Sequence, residues 1–260
     1  MNEDFSSLKL KKIDSIVDFA IKNKMTPGVQ LLIAKNGSVI YNKSYGHHTY
    51  NKKISVENED IYDLASITKI LVSLPLIIRE IELKSLTFDS SLSSFFPKIN
   101  LFEKRNIKLK EMLSHYSRLT PWIPFYKETL DSVTNKQLDN YYSNKQTSDF
   151  NVEVRDGLYM QLWNDIIFDK IIKSELLESK EYKYSDLPYY LIKKYLEDKY
   201  GKSLDKLIRD YIFSKNGMLS LNFNPYKTID LNKIVPSEID DYFRLGELRG
   251  YVHDMGAAMQ

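Results

Sequence analysis

The chain has 260 residues, 43% of them hydrophobic and 28% charged, enough for one sizeable core or a core with a subdomain. Thirty-seven basic residues against 35 acidic ones leave a net charge of +2, which gives no general pull towards nucleic acid or an anionic membrane. Cysteine is absent, which excludes a disulfide framework, thiol chemistry and a Cys-based metal site.

In chain order, the residues Met1 to Lys12 lack the apolar core of a signal peptide, and no run of eighteen apolar residues suggests a membrane span, so the chain as written is expected in the cytoplasm. A helix is predicted from about Ile13 to Asn23. Residues Gly28 to Tyr45 then read as a hairpin, with strands Gln30 to Ala34 and Val39 to Tyr45 about the turn Asn36-Gly37. The run Ile70 to Ile81 predicts a helix, kinked at Pro75, and the two-sided apolar character of Ile70 to Ile78 predicts that it is central and buried. Further helices are expected at Leu109 to Ser114, Gly157 to Ser174, Asp186 to Tyr200 and Leu204 to Ile212. The segment Asp131 to Val154, rich in Asn, Ser, Gln and Thr, reads as a mobile surface insertion or a linker.

The stretch Asp63-Leu64-Ala65-Ser66-Ile67-Thr68-Lys69 carries the clearest chemistry. At the start of a helix, the i, i+3 spacing puts the Lys69 amine on the same face as the Ser66 hydroxyl. A serine needs an adjacent base to become a nucleophile. A lysine serves only if burial, positive neighbours or the positive end of a helix favour its neutral form. The same spacing recurs at Ser6-Lys9, in a polar terminus, and at Ser203-Lys206, which reads as a helix cap with a solvated lysine. Only Ser66-Lys69 precedes a strongly apolar helix, and a capping serine with a solvated lysine is the alternative there.

A second element, Tyr184-Ser185-Asp186, stands at the entrance to another amphipathic helix. Together with Met25 to Gln30, the Asn36-Gly37 hairpin and Met112-Leu113-Ser114-His115 with Leu119, it resembles the serine β-lactamase and penicillin-binding-protein superfamily, in its class C β-lactamase-like branch. Arg118 stands where that family prefers glycine, and Asp186 where asparagine is commoner in its Y-x-N motif. The stretches Trp122 to Lys127, Pro236 to Asp240 and Gly250 to Met259 are similar to the β-lactamase-like domain that follows family-3 β-N-acetylglucosaminidase domains in Bacteroidota-type proteins.

The resemblance implies an α+β (α/β sandwich) β-lactamase/transpeptidase-like fold with a helical subdomain. It implies one incomplete domain over 1–260, with the N-terminal helix and hairpin in 1–60 and a mainly helical subdomain bearing the nucleophile helix in 61–260. It further implies acyl-enzyme hydrolysis of an ester or amide, with a cell-wall-derived D-amino-acid peptide as the candidate substrate. Ser66, Lys69 and Tyr184 would be catalytic, and Asp186, Trp122 and Tyr126 substrate-binding. No cofactor and no metal are expected. The family's third motif, a K-T-G or H-x-G strand, has no counterpart: Lys215-Asn216-Gly217 follows a helix, Lys35-Asn36-Gly37 is a hairpin turn, and Lys227-Thr228-Ile229 lacks the glycine. The reading is therefore a truncated domain, with the C-terminal sheet strands missing and an exposed edge that invites self-association or a strand-donating partner chain. A catalytically impaired fragment or binding module is the competing expectation. The family's envelope-side relatives imply a periplasmic or extracellular location if an exported segment lies upstream.

His47, His48, His115 and His253 show no metal-ligand spacing. His115 is expected to pack near the nucleophile helix rather than to act in catalysis. Trp122, Phe125 and Tyr126 could line a substrate cleft or cover the core, and with nineteen tyrosines in the chain, Tyr184 is singled out by its motif alone.

Overall fold

The computed structural model describes residues 7–98, 100–242 and 244–251; His253 and the segment after Tyr251 lie outside them. The chain divides into two compact units. Among the described residues, one comprises 7–63, Pro225–Ile239 and Glu247–Gly250. The other comprises 64–98, 100–224, 240–242, 244–246 and Tyr251.

The first unit opens with helix α1 (Ser7–Lys22), which starts about two turns earlier than its apolar pattern predicts. Strands β1 (Gly28–Lys35) and β2 (Ser38–Gly46) pair antiparallel, Gly28 opposite Gly46 and Lys35 opposite Ser38, with a bulge at Ile33/Ala34. Asn36 and Gly37 both take positive φ, 51° and 76°, as a two-residue hairpin turn that matches strand twist requires. Among the described residues, β1 and β2 pair only with each other. Helix α1 is fastened to β2 through Asp14, whose carboxylate accepts from the Tyr41 hydroxyl at 2.8 Å, the Tyr45 hydroxyl at 2.6 Å and Lys43 Nζ at 2.8 Å. Gly28 is required by crowding, because a Cβ there would lie 2.5 Å from the His47 carbonyl oxygen. The later segment joins through paired bonds, Ile61 N–H to the Lys233 carbonyl at 2.8 Å and Val235 N–H to the Ile61 carbonyl at 2.9 Å. A buried His48–Asp60 contact of 2.8 Å, with Arg249 on the other ring nitrogen at 3.0 Å, completes it.

The second unit is mainly helical. A wide turn over Lys69–Ser73, in which Leu74 N–H reaches back five residues to the Lys69 carbonyl, leads into α2 (Leu74–Glu82). Pro75 has no N–H to return to the preceding turn, and the chain accommodates it with this widened turn at the helix entrance. Then come α3 (Leu92–Phe95) and α4 (Leu109–Leu113). A three-stranded sheet follows, with β3 (Tyr142–Ser143), β4 (Val152–Arg155) and β5 (Leu158–Met160) in the order β3-β5-β4. The unit continues with α5 (Asn164–Lys173), α6 (Leu187–Tyr200) and α7 (Leu204–Ile208). A third sheet, most of whose residues belong to the first unit, pairs β6 (Glu238–Asp240) with β7 (Gly246–Leu248).

Helix α6 buries Leu187, Leu191, Ile192, Tyr195 and Leu196, an i, i+4 stripe that packs with Ile77, Leu92, Leu109 and Met112 in the core. It ends where Gly201 turns left-handed at φ 62°. Buried Glu80 of α2 ties the two helices together, paired with Lys199 and the Tyr200 hydroxyl.

Three expectations are corrected. The first part of the helix predicted from Gly157 is strand β5. Tyr142, Val154, Leu158 and Leu130 form a small core of their own, so the predicted mobile insertion is a folded miniature sheet. The helix after Ser66 is also not buried all round: Val72 and Ile77 are sealed, while Ile70 is 60% and Ile78 43% exposed.

Candidate active site

The chain enters the nucleophile helix through a strained residue. Ala65 has a φ of +42°, a conformation that costs a residue with a Cβ of order 1–2 kcal/mol. The strain sets Ser66 in the first turn, exposed, with Ile67 N–H bonded to the Leu64 carbonyl at 2.9 Å and Lys69 N–H to the Ser66 carbonyl at 3.1 Å. Among the described residues, the Ser66 backbone N–H has no acceptor, which leaves a donor beside the hydroxyl.

Lys69 is only 3% exposed. Its Nζ donates to Ser66 Oγ at 2.8 Å and stands 2.6 Å from Asp186 Oδ1. The second contact is an ion pair rather than an aligned hydrogen bond. The rings of Tyr184 and Tyr189 flank the ammonium, each with its centroid 5.3 Å from Nζ, within range of a cation–π attraction. The burial is as expected. The electrostatic setting is not: the nearest charge is the Asp186 carboxylate rather than a positive neighbour.

The Tyr184-Ser185-Asp186 turn is held against the segment after α4. Ser185, fully buried, donates its hydroxyl to the Thr120 carbonyl at 2.7 Å, and Asp186 N–H bonds the Pro121 carbonyl at 3.1 Å. Ser185 N–H donates to His115 Nδ1 at 3.2 Å, which makes Nδ1 an acceptor and leaves the neutral ring's proton on Nε2. Burial, and then the positive charge of Lys69, push the His115 pKa below its ordinary value. The imidazole stacks on Tyr184, ring centroids 4.4 Å apart. Burial, reinforced by Tyr184 and Asp186, pushes the Tyr189 hydroxyl up to about 12.

Arg118 has a φ of +62°, which explains why a glycine is at home at that position. The arginine is held by Nε donating to the Leu177 carbonyl at 2.5 Å, while its own carbonyl accepts from Leu177 N–H at 2.8 Å.

The structure thus brings Ser66, Lys69, Tyr184 and Asp186 together, with His115 behind Tyr184. Tyr184 meets Lys69 by its ring face, and among the described residues its hydroxyl has no hydrogen-bond partner. Trp122 and Tyr126 pack on each other, centroids 6.3 Å apart. Trp122 faces an open groove with Ile123, Glu128, Lys170 and Lys173 whose lining does not include Ser66, Lys69 or Tyr184. Tyr126 leans on the small core beneath β3 to β5. The pairing of Asp186 with Lys69 and the part of Tyr189 had no separate sequence signal. Tyr189 lies three residues beyond Asp186, so the start of α6 turns both towards the same lysine. Among the described residues, no cluster of His, Cys, Asp and Glu could hold a metal ion, and no helix is long and apolar enough to cross a membrane.

A protein of this sequence has recognisable kin. It is 30% identical over 129 residues to Protein flp of Staphylococcus aureus (strain MRSA252), a match that spans 48% of this chain and 25% of that relative. The octameric penicillin-binding protein homologue from Pyrococcus abyssi superposes with a TM-score of 0.67 at 19% identity, over 96% of this chain and 53% of that one. The beta-lactamase/D-alanine carboxypeptidase from Yersinia pestis gives 0.62 at 19% identity, over 97% and 65%. These likenesses place the fold among β-lactamase/transpeptidase-like architectures. Since the Beta-lactamase family profile matches residues 14–233, the chain belongs to the beta-lactamase family, a family of serine hydrolases.

Proposed function

We propose that this chain carries an acyl-transfer site in which Ser66 is the nucleophile and Lys69 its proton acceptor. The observation that carries the reading is the 2.8 Å hydrogen bond between Lys69 Nζ and Ser66 Oγ, made by a sealed lysine to an open hydroxyl. The Ser66 oxygen attacks an ester or amide carbonyl, its proton passes to Lys69 and on to the leaving group, and water then releases the acyl group. The free Ser66 N–H supplies one donor to the developing oxyanion. Tyr184, with its ring against Lys69, joins the proton relay when substrate brings its hydroxyl into play. The substrate class is an ester or amide, with a cell-wall-derived D-amino-acid peptide as the specific candidate. That choice is supported by the family and by relatives whose names include a D-alanine carboxypeptidase.

The test is intact mass after incubation with a fluorophosphonate probe. One adduct is expected on the unmodified chain and none on Ser66→Ala. Absence of an adduct on the unmodified chain overturns the reading and favours the non-catalytic fragment.

A further inference from the structure

Asp186 occupies the N-cap of α6, where an aspartate ordinarily accepts a hydrogen bond from the N–H groups of its own first turn. Here it makes no such bond. The Leu187 N–H is taken instead by the Ser185 hydroxyl at 3.3 Å, and the Asp186 carboxylate turns to Lys69. Its backbone is pinned on the other side through Pro121, so the direction of the carboxylate is set by the chain rather than by chance contact. Ser66 Oγ, Lys69 Nζ and Asp186 Oδ1 then follow one another at 2.8 and 2.6 Å. This is the general form of an activated nucleophile: an attacking oxygen, a base in reach of it, and a third group that orients the base.

We propose that Asp186 is the positioning residue of a Ser66–Lys69–Asp186 relay, in which its carboxylate holds the ammonium that Lys69 becomes on taking the Ser66 proton. The proposal rests on the reading of Ser66 as nucleophile and departs from the substrate-contact role that the motif resemblance implies for this position. In the acylation step a lone pair of Ser66 Oγ forms the new bond to the carbonyl carbon, the C=O pair moves onto oxygen, and the Oγ proton passes to the Lys69 amine. On collapse the bond to the leaving group breaks, and the leaving atom takes that proton back from Lys69. Asp186 changes no bond. Its negative charge, about a fifth exposed on one side and against Lys69 on the other, compensates the cation while it exists.

Removing the charge lowers the ceiling of the rate. The groups that face Lys69 are Ser66, Asp186, Tyr184 and Tyr189, with His115 behind Tyr184. His115 is held below its ordinary value and Tyr189 stands at about 12, so neither changes charge between about pH 7 and 10. Tyr184→Phe serves as the control for the remaining neighbour.

The experiment is the rate of fluorophosphonate labelling from pH 5 to 10 at several probe concentrations, which separates the saturating rate from the apparent affinity. Asp186→Asn keeps the shape and removes no helix-capping bond, so its melting curve is expected to match that of the unmodified chain. The relay predicts a saturating rate lowered about tenfold to a hundredfold and an apparent affinity within about twofold. Asp186→Glu keeps the charge on a longer stem and is expected to recover part of the rate, which serves as the test if Asp186→Asn melts early. An unchanged saturating rate with weakened affinity overturns the relay and makes Asp186 a substrate contact, while the nucleophile reading stands. Failure of the unmodified chain to label at any pH removes the nucleophile reading and the relay with it.

Discussion

Lys69 and Lys104 are equally withdrawn from water, each 3% exposed, and differ in what their ammonium groups meet. Lys104 reaches across to the C-terminal end of α5, where Nζ donates to the Ile172 carbonyl at 3.0 Å and to the Ser174 carbonyl, satisfying acceptors that a helix end leaves open. Burial lowers its pKa against a small opposing pull from Glu103. Lys69 meets a hydroxyl on one side and a carboxylate on the other. Dipolar carbonyls have no proton to exchange, so Lys104 is a strut. A hydroxyl and a carboxylate are both partners in proton transfer, so Lys69 can work. Burial by itself does not separate a structural lysine from a chemical one; the partners do.

Substitutions at the two positions sharpen that contrast. The largest effect is expected at Lys69→Met, which keeps the stem and removes the base: fluorophosphonate labelling of Ser66 should fall about a hundredfold or more. Lys104→Met is the counterpart. It should leave the labelling rate unchanged and cost about 1–2 kcal/mol in urea unfolding, because two helix-end carbonyls lose their donor. If Lys104→Met suppresses labelling as strongly as Lys69→Met, the contrast collapses.

The smallest effect is expected at His115→Phe. The ring can still stack on Tyr184, but Ser185 N–H loses its acceptor, a cost of about 1 kcal/mol. The folded chain also binds a proton at His115 less readily than the unfolded chain does. Below the unfolded value of about 6.5 the unfolded state therefore holds more protons, and this residue makes stability rise with pH across that window. Urea midpoints from pH 5 to 7 should show a flatter slope in the variant.

The hairpin was legible because Asn36-Gly37 is a turn that few other conformations accept, and the entry to the nucleophile helix because Ser66-Lys69 precedes an apolar run. The other pair, Ser203-Lys206, lies exposed at the start of α7, with Ser203 at the N-cap position but without a side-chain capping bond. None of the three candidate third-motif stretches forms a strand of its own. Lys35 ends β1 and Asn36-Gly37 is the hairpin turn, Lys215 and Lys227 lie in single helical turns, and Gly217 ends its turn left-handed at φ 68°.

Strand β5 was obscured because Leu158 to Met160 is too short and apolar to tell from a helix by period. The Asp156-Gly157 dipeptide between β4 and β5, with Gly157 at φ 70°, was the local signal for a hairpin. The exposure of Ile70 and Ile78 was not readable either, since apolar content on both faces does not say which face finds a neighbour. Asp186 posed the hardest case. A cap residue normally serves its own helix, and only the folded chain shows that the Ser185 hydroxyl has taken over that duty.

The asymmetry between the open Ser66 and the sealed Lys69 has a chemical consequence for how the site would be probed. Lysine is ordinarily the first side chain that an activated ester or an aldehyde finds on a protein surface. Here the amine sits behind the oxygen it serves, so an incoming electrophile meets Ser66 before Lys69. Amine-directed reagents should therefore decorate the exposed lysines of this lysine-rich chain and pass the site by, whereas reagents that seek an activated oxygen should single it out.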